Sequence, residues 1–314
     1  MIKTNINVGY LLSYDYEYIF NSLNEIYKYV DQIVLAIDIN YKTWNGNEFS
    51  IEQQFFTNIK NLDTRNIIEF FYDEFYIEKL TPIECEFRER NLLLNHLNKG
   101  WKIQLDVDEY FFDFDILVKS LKANWLFTKL PSFFPVVISI NWITLFKKTD
   151  KGFVYINSHE NTPLITNTSN NTYSRENKYA HKIFSNNYAI HQSWARSEVE
   201  IKMKINNWGH VTDFNTSDFF EFWSNIDDFN FGGVRDFHPL EPKVWSCMEF
   251  IEAKNIKEFA IKINGKIVQN KKIFIFKDYG FALLIASNSA IRNFKQVMKK
   301  IALRVLISLR ILKR

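Results

Sequence analysis

The sequence predicts an α/β fold: a mostly parallel sheet flanked by helices, carrying a basic amphipathic helix at its C-terminal end. Three observations predict it. Over the first 115 residues or so, apolar runs of strand length alternate with stretches whose apolar residues recur at helical spacing, as in a sheet built with crossover helices. The composition is 46% hydrophobic and 17% aromatic, enough for a large core. The last segment places apolar residues at steps of three and four between basic ones.

Each element can be justified in order. Ile6–Tyr14, INVGYLLSY, reads as a first strand. Glu17–Val30 follows, with Ile19, Phe20, Leu23, Ile26, Tyr27 and Val30 on one helical face. Asp31–Ile39 is a second strand ending near Asp38, and Asn40–Ser50 a polar loop in which Ser50 can cap a helix over Ile51–Leu62. Asn66–Asp73 reads as a third strand. Pro82–Gly100 opens on proline and closes on glycine, the usual helix asymmetry. Trp101–Leu105 is then a fourth, buried strand.

Beyond residue 115 the pattern loosens. Phe133–Lys148 suggests strand structure, His159–Lys178 a polar loop, and Arg196–His210 a helix capped by Ser197 with Glu200 completing a capping box. Lys271–Phe276 reads as one late strand. These changes divide the chain into a binding half at 1–115, a second half at 116–245 and a C-terminal extension at 246–314, whose amphipathic helix covers 289–314.

Charge and cysteine content narrow the function classes. After Asp278 there are eight basic residues and no acid, so a basic tail follows a net acidic body. Such a helix suits an anionic membrane surface or a protein partner, and its interspersed charges exclude a spanning helix. With net positive charge confined to the tail and no recognition motif, nucleic acid is not an expected partner. Cys85 and Cys247 form no metal-binding or disulfide pattern, which fits a reducing, cytoplasmic setting. The N-terminal apolar run is too short and polar for a signal peptide.

The chemistry concentrates where the fourth strand ends. Asp106, Asp108 and Glu109 put three acids in four positions, an arrangement that costs energy unless a cation neutralises it. Residues two apart on an extended segment point the same way, so Asp106 and Asp108 converge while Val107 turns inward. Sheets of this class bind ligands beyond the carboxyl ends of their strands, where Asp38 also lies. Paired hard oxygen ligands suit Mg²⁺ or Mn²⁺ with a diphosphate.

The stretch FRERNLLLNHLNKGWKIQLDVDEYF, Phe87–Phe111, resembles the helix–strand–DXD segment of GT-A glycosyltransferases, family 2 in particular, and NVGYLLSYDYEYIFNSLNEIYKYVDQIVLAID, Asn7–Asp38, is similar to that family's first strand, helix and second strand. The resemblance implies a nucleotide-sugar donor, most simply a UDP-sugar, with Mn²⁺ or Mg²⁺ on its diphosphate. Asp106 and Asp108 match the DXD metal and diphosphate position, Asp38 the acid that contacts the nucleoside, and Arg90 a basic position before the DXD. The usual continuation after Asp38 is replaced by DINYKTWNG. Arg90 also suits a surface ion pair with Glu86. His191, after a short apolar run, is similar to the family's late histidine and is a candidate third metal ligand; a structural histidine is the alternative.

A transfer with inversion needs a base to take the acceptor's proton. Glu198 stands where the family carries this carboxylate, although an acid in a first helical turn is also stabilised without any catalytic role. Glu160 is its rival. Trp194 and Trp208 suit either sugar stacking or core packing, and Arg196 a phosphate contact. The implied activity is hexosyl transfer to a glycan or lipid-linked acceptor in bacterial surface polysaccharide synthesis, at the inner face of the membrane. The alternatives are a nucleotidyltransferase on a similar sheet, against which the absence of a glycine-rich loop after the first strand counts, and a non-catalytic membrane scaffold.

Overall fold

The buried strands of a parallel sheet are covered on both faces, so they read as unbroken apolar runs. Ile6–Leu12 (β1) and Gln32–Asp38 (β2) are buried at every position. Ile68–Asp73 (β3) is half-buried, as befits an edge, and Trp101–Asp106 (β4) is buried up to its last residue. The structure, a computed structural model, describes residues 4–267 apart from positions 112, 158, 159, 210 and 212, together with Gln296. The strand expected at Lys271–Phe276, His210 and, but for Gln296, the amphipathic segment 289–314 lie outside the described residues.

The four strands pair in parallel in the order β3-β2-β1-β4. Their crossovers are helical. Ile19–Ile26 (α1) lies between short 3₁₀ turns, so the expected helix over Glu17–Val30 is there but broken at both ends. Gln53–Leu62 (α2) begins after Glu52 and not at Ser50. Pro82–His96 (α3) carries a complete capping box between Thr81 and Glu84 and has Leu93 packed on Gly9 of β1. It stops four residues short of Gly100. That glycine has φ +143°, and a Cβ there would lie 2.4 Å from the Asn5 carbonyl oxygen, so glycine is what lets β4 start against β1.

After β4 the sheet becomes mixed. The strands are Glu109–Phe111 (β5), Val136–Lys148 (β6), Gly152–Ile156 (β7), Asn161–Thr166 (β8), His181–His191 (β9) and Met248–Glu252 (β10). Between them come Phe114–Ala123 (α4), Glu198–Asn207 (α5) and Thr216–Asn225 (α6), and Ile256–Ile267 (α7) follows β10. β6 joins the halves: it pairs antiparallel with β7 and β8 and parallel with β9. β8 pairs antiparallel with β4, and β9 antiparallel with β5. The region expected as a polar loop, His159–Lys178, therefore contains a strand. β8 was hidden because its sequence, NTPLIT, alternates small polar residues with few large apolar ones. β10 extends the same sheet on β7, so part of the C-terminal extension belongs to it.

The largest apolar cluster packs α1, α2 and α4 on the parallel strands around Trp101, and a second aromatic cluster surrounds Phe146, Trp194, Phe219 and Trp223. Trp194 is thus a core residue. Among the described residues no helix is long and apolar enough to cross a membrane.

Candidate active site

The carboxyl ends of β1, β2 and β4 open into one cavity of about 440 Å³, within the roughly 300–1,000 Å³ usual for ligand sites. Its lining brings together Asp38, Arg90, Asp106, Asp108, Glu160 and His191. Glu198 is not among them. It is exposed on the first turn of α5, where Lys202 Nζ donates to it at 2.7 Å, and that contact lowers its pKa. The capping box of Ser197 and Glu200 fixes how α5 enters, and this turns Glu198 to solvent.

The cation that makes the acid cluster tolerable comes first from the protein itself. Asp106 faces Arg90 Nη2 at 3.0 Å and Arg175 Nη2 at 2.8 Å. Asp108 is buried and takes Arg196, Lys204 Nζ at 3.2 Å, and His191 Nε2 at 3.7 Å. Glu109, wholly buried, accepts from Arg175 Nη1 at 2.9 Å and from the Asp106 amide at 2.9 Å. Burial alone would raise both aspartates; Arg175 and Arg90 offset it at Asp106, and Lys204, Arg196 and His191 at Asp108, so both stay below the ordinary carboxylate range. At Glu109 burial wins over Arg175 and raises the carboxyl to about 7. Burial also lowers His191 to about 4, so its imidazole is uncharged at neutral pH.

The remaining expected residues divide. Asp38 accepts four backbone amides, from Asn40 at 2.9 Å and Lys42 at 3.1 Å on one oxygen and from Phe75 at 2.8 Å and Tyr76 at 2.9 Å on the other. A carboxylate has about four acceptor positions, so Asp38 is used in tying the loops after β2 and β3 together. Arg90 does make the ion pair with Glu86, at 2.8 Å, but it also reaches Asp106, and its Nη1 is buried with no hydrogen-bond partner. Arg196 is buried between Asp15, at 2.8 Å, and Asp108. Trp208 lines the cavity, edge-on to Trp194. His238 lines it too, its Nδ1 accepting the Leu240 and Glu241 amides.

Arg175 and Lys204 were not visible in the sequence as site residues. Arg175 follows Ser174, which has φ +42°, in the turn after β8, and Ser193, φ +32°, sits between His191 and Trp194. Non-glycine residues with such backbone collect at functional sites. Both serines line the cavity.

Among the described residues no three His, Cys, Asp or Glu side chains are grouped to hold an ion. In kind, though, the donors suit one. Among the described residues His191 Nδ1 is buried without a hydrogen-bond partner and the imidazole is neutral, while Asp106 Oδ1 has Arg90 Nη2 at 3.0 Å. Arginine and lysine groups stand on the same carboxylates and compete for them.

The far wall of the cavity is different. β8 runs antiparallel to β4, so its start lies at the sheet edge where β4 ends. There Glu160 accepts from Trp245 Nε1 at 3.2 Å and from the Thr144 hydroxyl at 3.4 Å, both neutral donors. Burial raises its pKa, and these two hydrogen bonds oppose the rise. Trp142 packs on His191 with ring centroids 4.4 Å apart and planes tilted by 32°.

No protein-family model matches the chain, and no curated protein matches it. Among solved structures it is similar to mannose-6-phosphate isomerase from Helicobacter pylori, at 18% identity and TM-score 0.28, spanning 49% of this chain and 56% of that one. It is similar to S. aureus TarS 1-349 at 12% identity and TM-score 0.36, over 68% of each chain. It is also similar to the mannosyltransferase PcManGT from Pyrobaculum calidifontis, solved with GDP-Man and Mn²⁺, at 9% identity and TM-score 0.38, over 98% of this chain and 81% of that one. All three TM-scores are below 0.5.

Proposed function

We propose that this chain is a glycosyltransferase that moves a sugar from a nucleotide-sugar to an acceptor hydroxyl. One observation carries the reading: Asp106 and Asp108 project from the end of the buried parallel strand β4 into a cavity that also holds His191, Arg90, Arg175 and Lys204. Such an end is where an α/β sheet receives a nucleotide. The same cavity is walled by Trp44, Trp142 and Trp208, aromatic rings of the kind that suit a sugar.

Arg90, Arg175 and Lys204 supply positive charge for a diphosphate. A divalent ion, Mn²⁺ or Mg²⁺, held by Asp106 and Asp108 with His191, would add charge stabilisation of the departing diphosphate. Asp38 shapes the nucleoside end by holding two loops in place. The segment after β1, Ser13–Asp15, contains no glycine, and Arg196 holds Asp15 at 2.8 Å; this is unlike a phosphate loop and disfavours nucleotidyl transfer. Within this reading the acceptor is a glycan or lipid-linked sugar of bacterial surface polysaccharide, reached from the cytoplasmic side of the membrane, with residues 289–314 as the contact.

The test is thermal stability with UDP, GDP and their sugars, with Mn²⁺, Mg²⁺ or chelator. A ligand that binds only the native state raises the melting temperature. A metal-dependent rise with one nucleotide, lost in Asp108→Asn, is expected. A rise that chelator leaves intact would remove the metal from the reading, and no rise with any nucleotide would leave a non-catalytic scaffold.

A further inference from the structure

The acids that line the cavity differ in what holds them. Asp15, Glu86, Asp106 and Asp108 each face an arginine or lysine, and Glu176 pairs with Lys182. Asp38 is filled by backbone amides. Glu89 is buried under the Trp44 indole on α3, away from β6 and β8. Among the described residues Glu160, lining the same cavity, has only neutral donors on its carboxylate, the Trp245 indole and the Thr144 hydroxyl.

Register places Glu160 relative to the donor end. In the order β8-β6-β9-β5, Trp142 on β6 donates its amide to the Glu160 carbonyl at 2.8 Å, Thr144 pairs with His191, and His191 pairs with Glu109. Paired residues on neighbouring strands share a face, with strands ~4.8 Å apart. Glu160 thus reaches the row from one side through Thr144, while Asp108 reaches it from the other through His191. The Trp142 and His191 rings, tilted at 32° with centroids 4.4 Å apart, stand on this same row. A diphosphate at the aspartates would share this one cavity with Glu160.

We propose that Glu160 is the general base of the transfer. In the step, the acceptor oxygen forms a bond to the anomeric carbon, and the bond from that carbon to the diphosphate oxygen breaks with its electron pair. The hydroxyl proton passes to the Glu160 carboxylate. Attack from the face opposite the leaving group inverts the anomeric centre. Thr144 and Trp245 are positioning residues that aim the carboxylate. This inference rests on the glycosyl-transfer reading above.

The experiment needs no known acceptor, because water serves as one. Release of UDP or GDP from UDP-glucose, UDP-N-acetylglucosamine and GDP-mannose is measured in Mn²⁺ for the full chain and for Glu160→Gln and Glu160→Asp. Glutamine keeps an acceptor oxygen for Trp245 and Thr144, and an unchanged melting-temperature shift with the nucleotide shows that the donor end is intact. The expected result is a kcat about 100-fold lower in Glu160→Gln with KM little changed, and an intermediate rate in Glu160→Asp. A Glu160→Gln rate within about threefold of wild type overturns the base while leaving sugar transfer standing. If Glu160→Gln is unstable, Glu160→Asp decides: a rate equal to that of Glu160→Ala overturns the role of the carboxylate. No nucleotide release by the wild-type chain from any donor overturns the glycosyl-transfer reading and the base with it.

Discussion

The two ends of the cavity hold the same kind of group in opposite ways. At the β4 end Asp106 and Asp108 are crowded by Arg90, Arg175, Arg196 and Lys204, and their carboxyls stay below the ordinary range. At the β8 end Glu160 has an indole and a hydroxyl for company, and burial lifts its pKa. The difference teaches that position at a sheet edge makes a carboxylate available, while its neighbours decide whether it is a fixed charge or a proton acceptor. Pushing carboxyls apart in this way is how one site holds two roles.

The largest effect that would break the comparison is on stability. Asp108→Ala leaves Arg196 and Lys204 buried without their shared counter-charge, and removing one partner of a buried pair costs about 3–5 kcal/mol. Glu160→Ala leaves only neutral donors unpaired, at about 1–3 kcal/mol. Urea unfolding at pH 7 compares the two; equal losses would mean that the ends are not differently held. Next comes metal affinity. Lys204 Nζ occupies Asp108 Oδ2, so Lys204→Met should tighten Mn²⁺ binding in the presence of UDP by about tenfold, a gain of about 1.4 kcal/mol. Titration calorimetry reads this, and weaker binding would show that the hold of Lys204 on the diphosphate outweighs its competition with the ion.

Glu89 sharpens the comparison from a third position. Burial lifts its carboxyl to about 8, against the hydrogen bond from Trp44. The native chain then keeps a proton that the unfolded chain loses, so this group's contribution to stability falls as pH rises from the ordinary carboxylate range to about 8. Glu89→Gln lacks the effect. Melting temperatures of the two proteins at pH 5 and pH 8.5 should differ in the variant's favour only at the higher pH. The smallest expected effect is that of Glu198→Ala. With its side chain in solvent and paired to Lys202, its loss should leave nucleotide release within about twofold of wild type.

The contrast also explains what was legible in the chain. β1, β2 and β4 could be read because strands buried on both faces leave continuous apolar runs, and α3 because proline and a capping box mark its start. Asp106, Asp108 and Arg90 were legible for the same reason: local order sets them. Arg175 and Lys204 were not, because their partners Glu109 and Asp108 lie 66 and 96 residues away and no local pattern encodes such a pairing. Glu160 was only a rival because β8 reads as a loop. Glu198 misled because an acid in the first turn of a capped helix has the same sequence pattern whether it faces a substrate or water.

The long reach of these pairs has a consequence for how the protein is made. Asp108 leaves the ribosome 88 residues before Arg196 and 96 before Lys204. Until those residues arrive, the end of β4 carries like charges in a place that the finished fold keeps dry, and closing so large a loop is slow. The parallel strands can form early, but the cavity at their carboxyl ends cannot be completed before α5 docks. Sheet assembly and site assembly are therefore separate events in time, and a nascent or truncated chain that stops short of Arg196 would hold the scaffold without the site.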